Sequence, residues 1–289
     1  MFQKLSQHEH ILQRPDTYIG SIHQEQKNQL IYDHQTKNLI KEHKYYIPAL
    51  ENLFFHIIWI NHSTNNMDIV VDAKTINVIH YNQLISTEFN SDHNKYVPEL
   101  LFSEHNLYEN IYSRAIFVNV WSINFTIIIH NAEEKRKYTQ MWKNNMLDNH
   151  DPIIEDYDGD VSSLQIICTL DFEKLNIDSF SSSDIKLFAR HALEISLADN
   201  RTITFNNVTF NIQTIDITNQ DYLIYKRLYT NSLKTTQHKF YRQIKKIGFS
   251  KNPEIVYTML LRLFLKYEVF RIHITEPLSI DLYTYAMTF

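Results

Sequence analysis

The chain alternates between stretches of helical apolar spacing and short runs of β-branched residues. Between Ile47 and Asn61 the apolar residues Leu50, Leu53, Phe54, Ile57 and Ile58 recur at the three-to-four spacing of one helix face, with Pro48 in the first turn, where proline is tolerated. Met67 to Val71 and Ile76 to His80 are short and β-branched, and the four residues DAKT between them predict a hairpin. Ser163 to Leu170 reads as a strand. Ser183 to Ala198 reads as a helix, with Ser183 or Asp184 near its cap. Thr202 to Phe210 holds a second hairpin that turns at Asn206-Asn207. Pro15-Asp16-Thr17 reads as a turn after a short helical segment. Ala115 to Ile129 is the most apolar run, but Asn119, Ser122 and Asn124 interrupt it. It is too short and too polar to span a bilayer and reads as a buried strand or hairpin. In the C-terminal part, His238 to Ile247 and Pro253 to Tyr267 are candidate helices, and Val269 to Ile274 and Leu278 to Tyr285 candidate strands.

Composition adds three constraints. With 289 residues and 44% apolar residues, the chain can bury one large core or two modest ones. Its single cysteine, Cys168, excludes an internal disulfide framework and fits a reducing intracellular compartment. The N-terminus lacks the basic-then-apolar pattern of a secretory signal, so the expected location is intracellular, with no membrane partner. Glycine is scarce: only Gly20, Gly159 and Gly248 occur, so any phosphate-cradling loop between Ser21 and Asp158 would have to form without it.

Charge is unevenly spread. Lys226 to Arg271 contains eleven Lys or Arg against two acids, a local +9, which leaves −14 for the rest of a chain whose net charge is −5. The composition changes near Tyr222 to Lys234, and the sequence is divided there into residues 1–221 and a basic region, 222–289. Lys239, Arg242, Lys245 and Lys246, interleaved with Phe240 and Tyr241, are candidate nucleic-acid contacts. The same basic surface could equally pair with the acidic body or with another protein. No Ser-His-Asp, Cys-His or paired-carboxylate set is recognisable. His8-Glu9-His10 lacks a third metal ligand, and Asp156 to Asp160 has its glycine out of place for a calcium loop.

Six segments lie in an order that points to one family. They are LSQHEHILQRPDTYIGS (Leu5 to Ser21), YIPALENLFFHII (Tyr46 to Ile58), KYVPELLF (Lys95 to Phe102), KYTQMWKNNM (Lys137 to Met146), the run from Asp156 to Ser196, and TITFNNVTF (Thr202 to Phe210). Together they resemble the ATPase region of eukaryotic-type type II DNA topoisomerases. The resemblance implies a mixed α/β (α+β) fold: a GHKL-type two-layer sandwich of a mixed sheet and helices over residues 1–221. The region from 222 on would be a small helix–strand addition, a remnant of the family's transducer domain or a winged-helix-like element.

Carried onto this sequence, the family's nucleotide-handling positions hold other residues. The catalytic glutamate falls on His56 and the magnesium-binding asparagine on Ile60, whose side chain offers no oxygen. The two glycines of the adenine-contacting motif fall on Asn82 and Leu84. The glycine-rich lid becomes YENIYSRAIF, with Tyr112 and Arg114 at glycine positions, and no lysine is found for the γ-phosphate. The family has a helix at Ala115 to Trp121, where the β-branched residues favour a strand. These substitutions lead to the expectation of a pseudo-ATPase: no enzyme, no cofactor and no metal. The expected role is to bind a protein partner, namely a second copy, a type II topoisomerase or another DNA-associated assembly. The N-terminal arm, through which the family dimerises, would support a dimer. The alternatives are a nucleic-acid-binding protein that uses the basic region and a divergent ATPase that uses His56.

Overall fold

The computed structural model describes residues 5–210 except 34, 36–37, 61–65, 104–111, 113 and 200. The elements run α1 (Gln7–Gln13), α2 (Pro15–Tyr18), β1 (Glu25–Asp33), β2 (Asn38–Tyr46), α3 (Pro48–Ile58), β3 (Met67–Val71), β4 (Thr75–Tyr81), β5 (Phe89–Asn90), β6 (Lys95–Tyr96) and α4 (Val97–Ser103). Then follow α5 (Ala115–Val120), β7 (Ser122–Asn131), β8 (Arg136–Lys143), β9 (Asp148–Asn149), β10 (Ile153–Asp156), β11 (Ser163–Leu170), α6 (Ser182–Asp199), β12 (Ile203–Phe205) and β13 (Val208–Phe210).

One large sheet organises the molecule, in the order β10-β8-β7-β11-β4-β3-β12-β13, with β9 also paired to β8. Its pairs are antiparallel except for β12 with β3, which run parallel, so the sheet is mixed. The parallel pair brings the end of the α6 segment back beside β3, since α6 precedes β12 in the chain. Burial alternates along β4, β7, β8 and β11, as expected of strands with one face on a core. Helices α3, α5 and α6 cover that face. Phe54 of α3 stacks on Phe188 of α6 at 4.2 Å and meets Phe205 of β12 edge-on, so three elements share one aromatic cluster. The β1–β2 hairpin forms a separate two-stranded sheet and packs on α6.

The α3 helix and both hairpins lie where hydrophobic spacing predicts them. Asn206 and Asn207 adopt φ of +44° and +67°, the left-handed pair demanded by a tight hairpin turn. The Asn206 side chain also accepts from Val71 N–H and donates to Val71 C=O, which locks this turn onto β3.

One expectation needs correction, and two others gain detail. Ala115 to Val120 is helical and only the segment from Ser122 extended, so the reading of a strand at the start of this run fails. Packing overrides the weak β preference here: Ala115, Ile116, Val118 and Val120 are all buried, with Asn119 Nδ2 donating to Phe102 C=O and Ser122 Oγ to Val118 C=O. Pro15 to Tyr18 forms a helical turn of its own, since proline suits a first helical position. The α6 cap is Ser181: its hydroxyl accepts from Asp184 N–H while the Asp184 carboxylate accepts from Ser181 N–H. The 221/222 division and all readings beyond Phe210, including the basic region, lie outside the described residues.

Candidate functional site

The N-terminal arm is held by its own polar side chains. Ser6 caps α1 in a reciprocal box with Glu9, whose carboxylate is held below its ordinary range by the Ser6 N–H and hydroxyl. His10 Nδ1 lies 2.7 Å from the Tyr18 hydroxyl, which ties α1 to α2. His8 Nε2 donates to the Asn145 carbonyl and fixes the arm to the turn after β8. That turn is unusual, because Asn144, Asn145 and Met146 all have positive φ, 50°, 59° and 66°. Asn145 holds it in place by donating to Val120 C=O and accepting from Lys174 Nζ. The arm ends at Gly20, whose φ of +88° and whose approach to Asn52 exclude a side chain: a Cβ would lie 2.9 Å from Asn52 Nδ2. Asn52 in turn donates to the Ile19 carbonyl at 2.8 Å.

Helix α3 is the hub on which this arm and the candidate nucleotide positions converge. Glu51 faces α6, Asn52 holds the arm and His56 faces α5. The half-buried His56 ring lies 5.7 Å from Phe117 of α5, and its Nε2 is 3.4 Å from the Tyr18 carbonyl. Phe117 also packs on Tyr18 at 5.1 Å. At the other end of α5, Arg114 is the exposed N-cap and Tyr112 C=O accepts from Ala115 N–H. Tyr112 is buried and packs on Phe102, and its hydroxyl accepts from Gln83 Nε2 at 2.5 Å. Burial pushes the Tyr112 phenol up to about 12. Gln83 stands between Asn82, which turns the chain with φ +53°, and Leu84, which is 48% exposed.

His56 therefore lies against α5 and Arg114 at its N-terminus, while Tyr112, just ahead of α5, is tied to Gln83, the neighbour of Asn82 and Leu84. Ile60 is apart from them in chemistry: it is buried in the core just after α3. Ile60 supplies no oxygen for a magnesium ion, so these residues do not fit that ion in the way the resemblance implies, and no step through it is derived. Among the described residues no group of three or more His, Cys, Asp or Glu side chains is placed to hold a metal.

Sequence reasoning missed the polar network beneath α3. Arg190, His191 and Glu194 of α6 are fully buried. Arg190 Nη2 lies 2.8 Å from Glu51 Oε1, Arg190 Nη1 donates to Leu30 C=O at 3.0 Å, and Arg190 Nε is 3.4 Å from Glu194. His191 reaches Glu51 at 2.8 Å and Glu194 at 3.5 Å. One guanidinium thus joins α3, α6 and β1. The available signal was the i, i+4 spacing of Arg190 and Glu194 among the apolar residues Leu187, Phe188, Ala189, Ala192, Leu193 and Ile195 of α6.

A mixed sheet with helices over one face and a hub helix meeting the sheet's loops defines a GHKL-type α/β sandwich. The chain is homologous to the ATPase region of eukaryotic type II DNA topoisomerases. It is 29% identical over 256 residues to DNA topoisomerase 2 of Candida glabrata, an alignment covering 81% of this chain and 18% of that protein. It is 32% identical over 168 residues to DNA topoisomerase 2 of Penicillium chrysogenum, covering 50% of this chain and 10% of that protein. The solved ATPase region of Saccharomyces cerevisiae topoisomerase II superposes with a TM-score of 0.70 at 26% identity, covering 79% of this chain and 64% of the other. The chain therefore spans less than a fifth of the length of these relatives. No protein-family model matches it.

These findings correct the expectation that the chain is no enzyme. Its relatives are named DNA topoisomerase 2 and its structural neighbours are ATPase regions, which points to an enzyme family. The expectation rested on residue types at aligned positions, and a side-chain substitution alone does not measure turnover.

Proposed function

We propose that the chain works as a type II topoisomerase-like module that associates through its N-terminal arm, either with a second copy or with a type II topoisomerase, in a DNA-associated assembly. The observation that carries this reading is the arm itself. Leu5 to Ser21 keeps its family-like sequence, is internally capped, and is seated on the body through His8, Tyr18 and Ile19. Such a seat presents one fixed arm surface to a partner, which lowers the ordering cost of association. Location at a site of DNA metabolism, such as the nucleus, belongs to the same reading. The test is affinity purification of the tagged full chain from its native cell, with nuclease treatment, followed by mass spectrometry. Recovery of a second, untagged copy or of a type II topoisomerase supports the reading. Recovery of neither overturns it.

Nucleotide turnover is a second reading, favoured by the enzymatic relatives and by the placement of His56 on α3, facing α5. It expects ATP hydrolysis that His56→Ala abolishes. Hydrolysis unchanged by that substitution ends the assignment of His56 as a base.

A further inference from the structure

The large sheet ends on one side at β10. Its register with β8 runs from Ile153↔Thr139 to Asp156↔Arg136, and one step beyond, Tyr157 N–H donates to Lys135 C=O. Hydrogen-bonded pairs alternate along an antiparallel ladder. Tyr157, Glu155 and Ile153 therefore turn their backbone groups towards β8, and Ile154 and Asp156 turn theirs outwards. Among the described residues no strand pairs with that outer edge.

The edge is apolar as well as open. Ile153 is 61% and Ile154 39% exposed, on opposite faces of the strand. Proteins usually blunt such an edge with lysine or proline, because an exposed edge is a template for another strand. Here, proline occurs only ahead of the strand, at Pro152, and the charges are of the opposite sign. From Leu147 to Val161 there are six acids, Asp148, Asp151, Glu155, Asp156, Asp158 and Asp160, and no lysine or arginine. Lys137 engages Glu155 at 2.7 Å and Lys135 approaches Asp160 at 3.8 Å, which leaves the other four without an ion pair to these two lysines.

We propose that β10 accepts a further strand from a partner protein: a short extended segment that alternates apolar and basic residues. Its backbone would pair with Ile154 and Asp156, its apolar residues would cover Ile153 and Ile154, and its basic residues would meet the acids on either side. A second copy of this chain is the poorer occupant, because antiparallel self-pairing would set Glu155 and Asp156 against the same acids. DNA is repelled by the same charges.

The test uses the full chain and a fluorescent short peptide of alternating valine and lysine, read by anisotropy, with the valine–glutamate peptide as control. The lysine peptide is expected to bind, more weakly as salt rises, and the glutamate peptide is not. Ile154→Pro removes an outward N–H that the fold does not use, and it should weaken binding at least about tenfold with an unchanged circular dichroism spectrum. Should that variant unfold, Glu155→Lys with Asp156→Lys serves instead and should shift the preference to the glutamate peptide. No binding, equal binding of both peptides, or binding unmoved by these substitutions overturns the proposal.

Discussion

Replacing Arg190 with methionine tests the buried network under α3. The guanidinium is fully buried and joins Glu51 of α3, Glu194 of α6 and the Leu30 carbonyl of β1. Methionine fills similar volume but takes away the guanidinium that lies 3.4 Å from Glu194, itself fully buried. Breaking a buried pair by removing one partner costs about 3–5 kcal/mol. That is about a fifth or more of a typical folding free energy of about 5–15 kcal/mol. With a urea m-value of about 2–3 kcal/mol/M, the unfolding midpoint should fall by about 1–2 M. The three tryptophans, Trp59, Trp121 and Trp142, are all buried in this body, so their fluorescence follows its unfolding. The double variant Arg190→Met, Glu194→Met removes both charges and should recover much of the loss, because an apolar pair replaces an ion pair at little cost. A midpoint shift below about 0.5 M in the single variant, or a double variant no more stable than the single, refutes the reasoning.

Other expectations can be checked alongside. His80 is buried with Nε2 against the Ile57 carbonyl, and burial, aided by Arg201, lowers it from 6.5 to about 3. Because its folded value is depressed, the stability it contributes is present above about 6.5 and is lost as pH falls towards about 3. His80→Gln should flatten that acid limb in thermal melts between those pH values, and an unchanged limb would count against it. Burial pushes the Cys168 thiol up to about 12, so a thiol reagent at neutral pH should label the chain only in urea, and fast labelling of the folded protein would contradict this. If the basic region contacts DNA, neutralising Lys245 and Lys246 should make the slope of log affinity against log salt shallower by about 2. Salt-independent binding would remove that role.

What was legible depended on how local each signal is. Helix α3 could be read because its apolar period and Pro48 agree, and the Asn206-Asn207 hairpin because left-handed turns leave a residue signature. The GHKL-type sandwich came from resemblance and the strand order was not read at all, since strand partners far apart in sequence carry no local mark. Helix α5 was misread because its five apolar residues, three of them β-branched, suit either state, and only their burial between neighbouring elements decides it. The candidate positions were named from the sequence, but their neighbours were not. That Gln83 hydrogen-bonds Tyr112 and Phe117 packs on His56 depends on bringing α3, α5 and the end of β4 together. The Arg190 network was invisible for the same reason, since Glu51 is 139 residues away in the chain.

The most direct test of the account is sedimentation velocity on the full chain over a range of concentrations, alone and with the purified type II topoisomerase of its native cell. The account predicts a species containing two arm-bearing chains in at least one of these mixtures, lost when Leu5 to Arg14 is deleted. A single-chain species under every condition would contradict it.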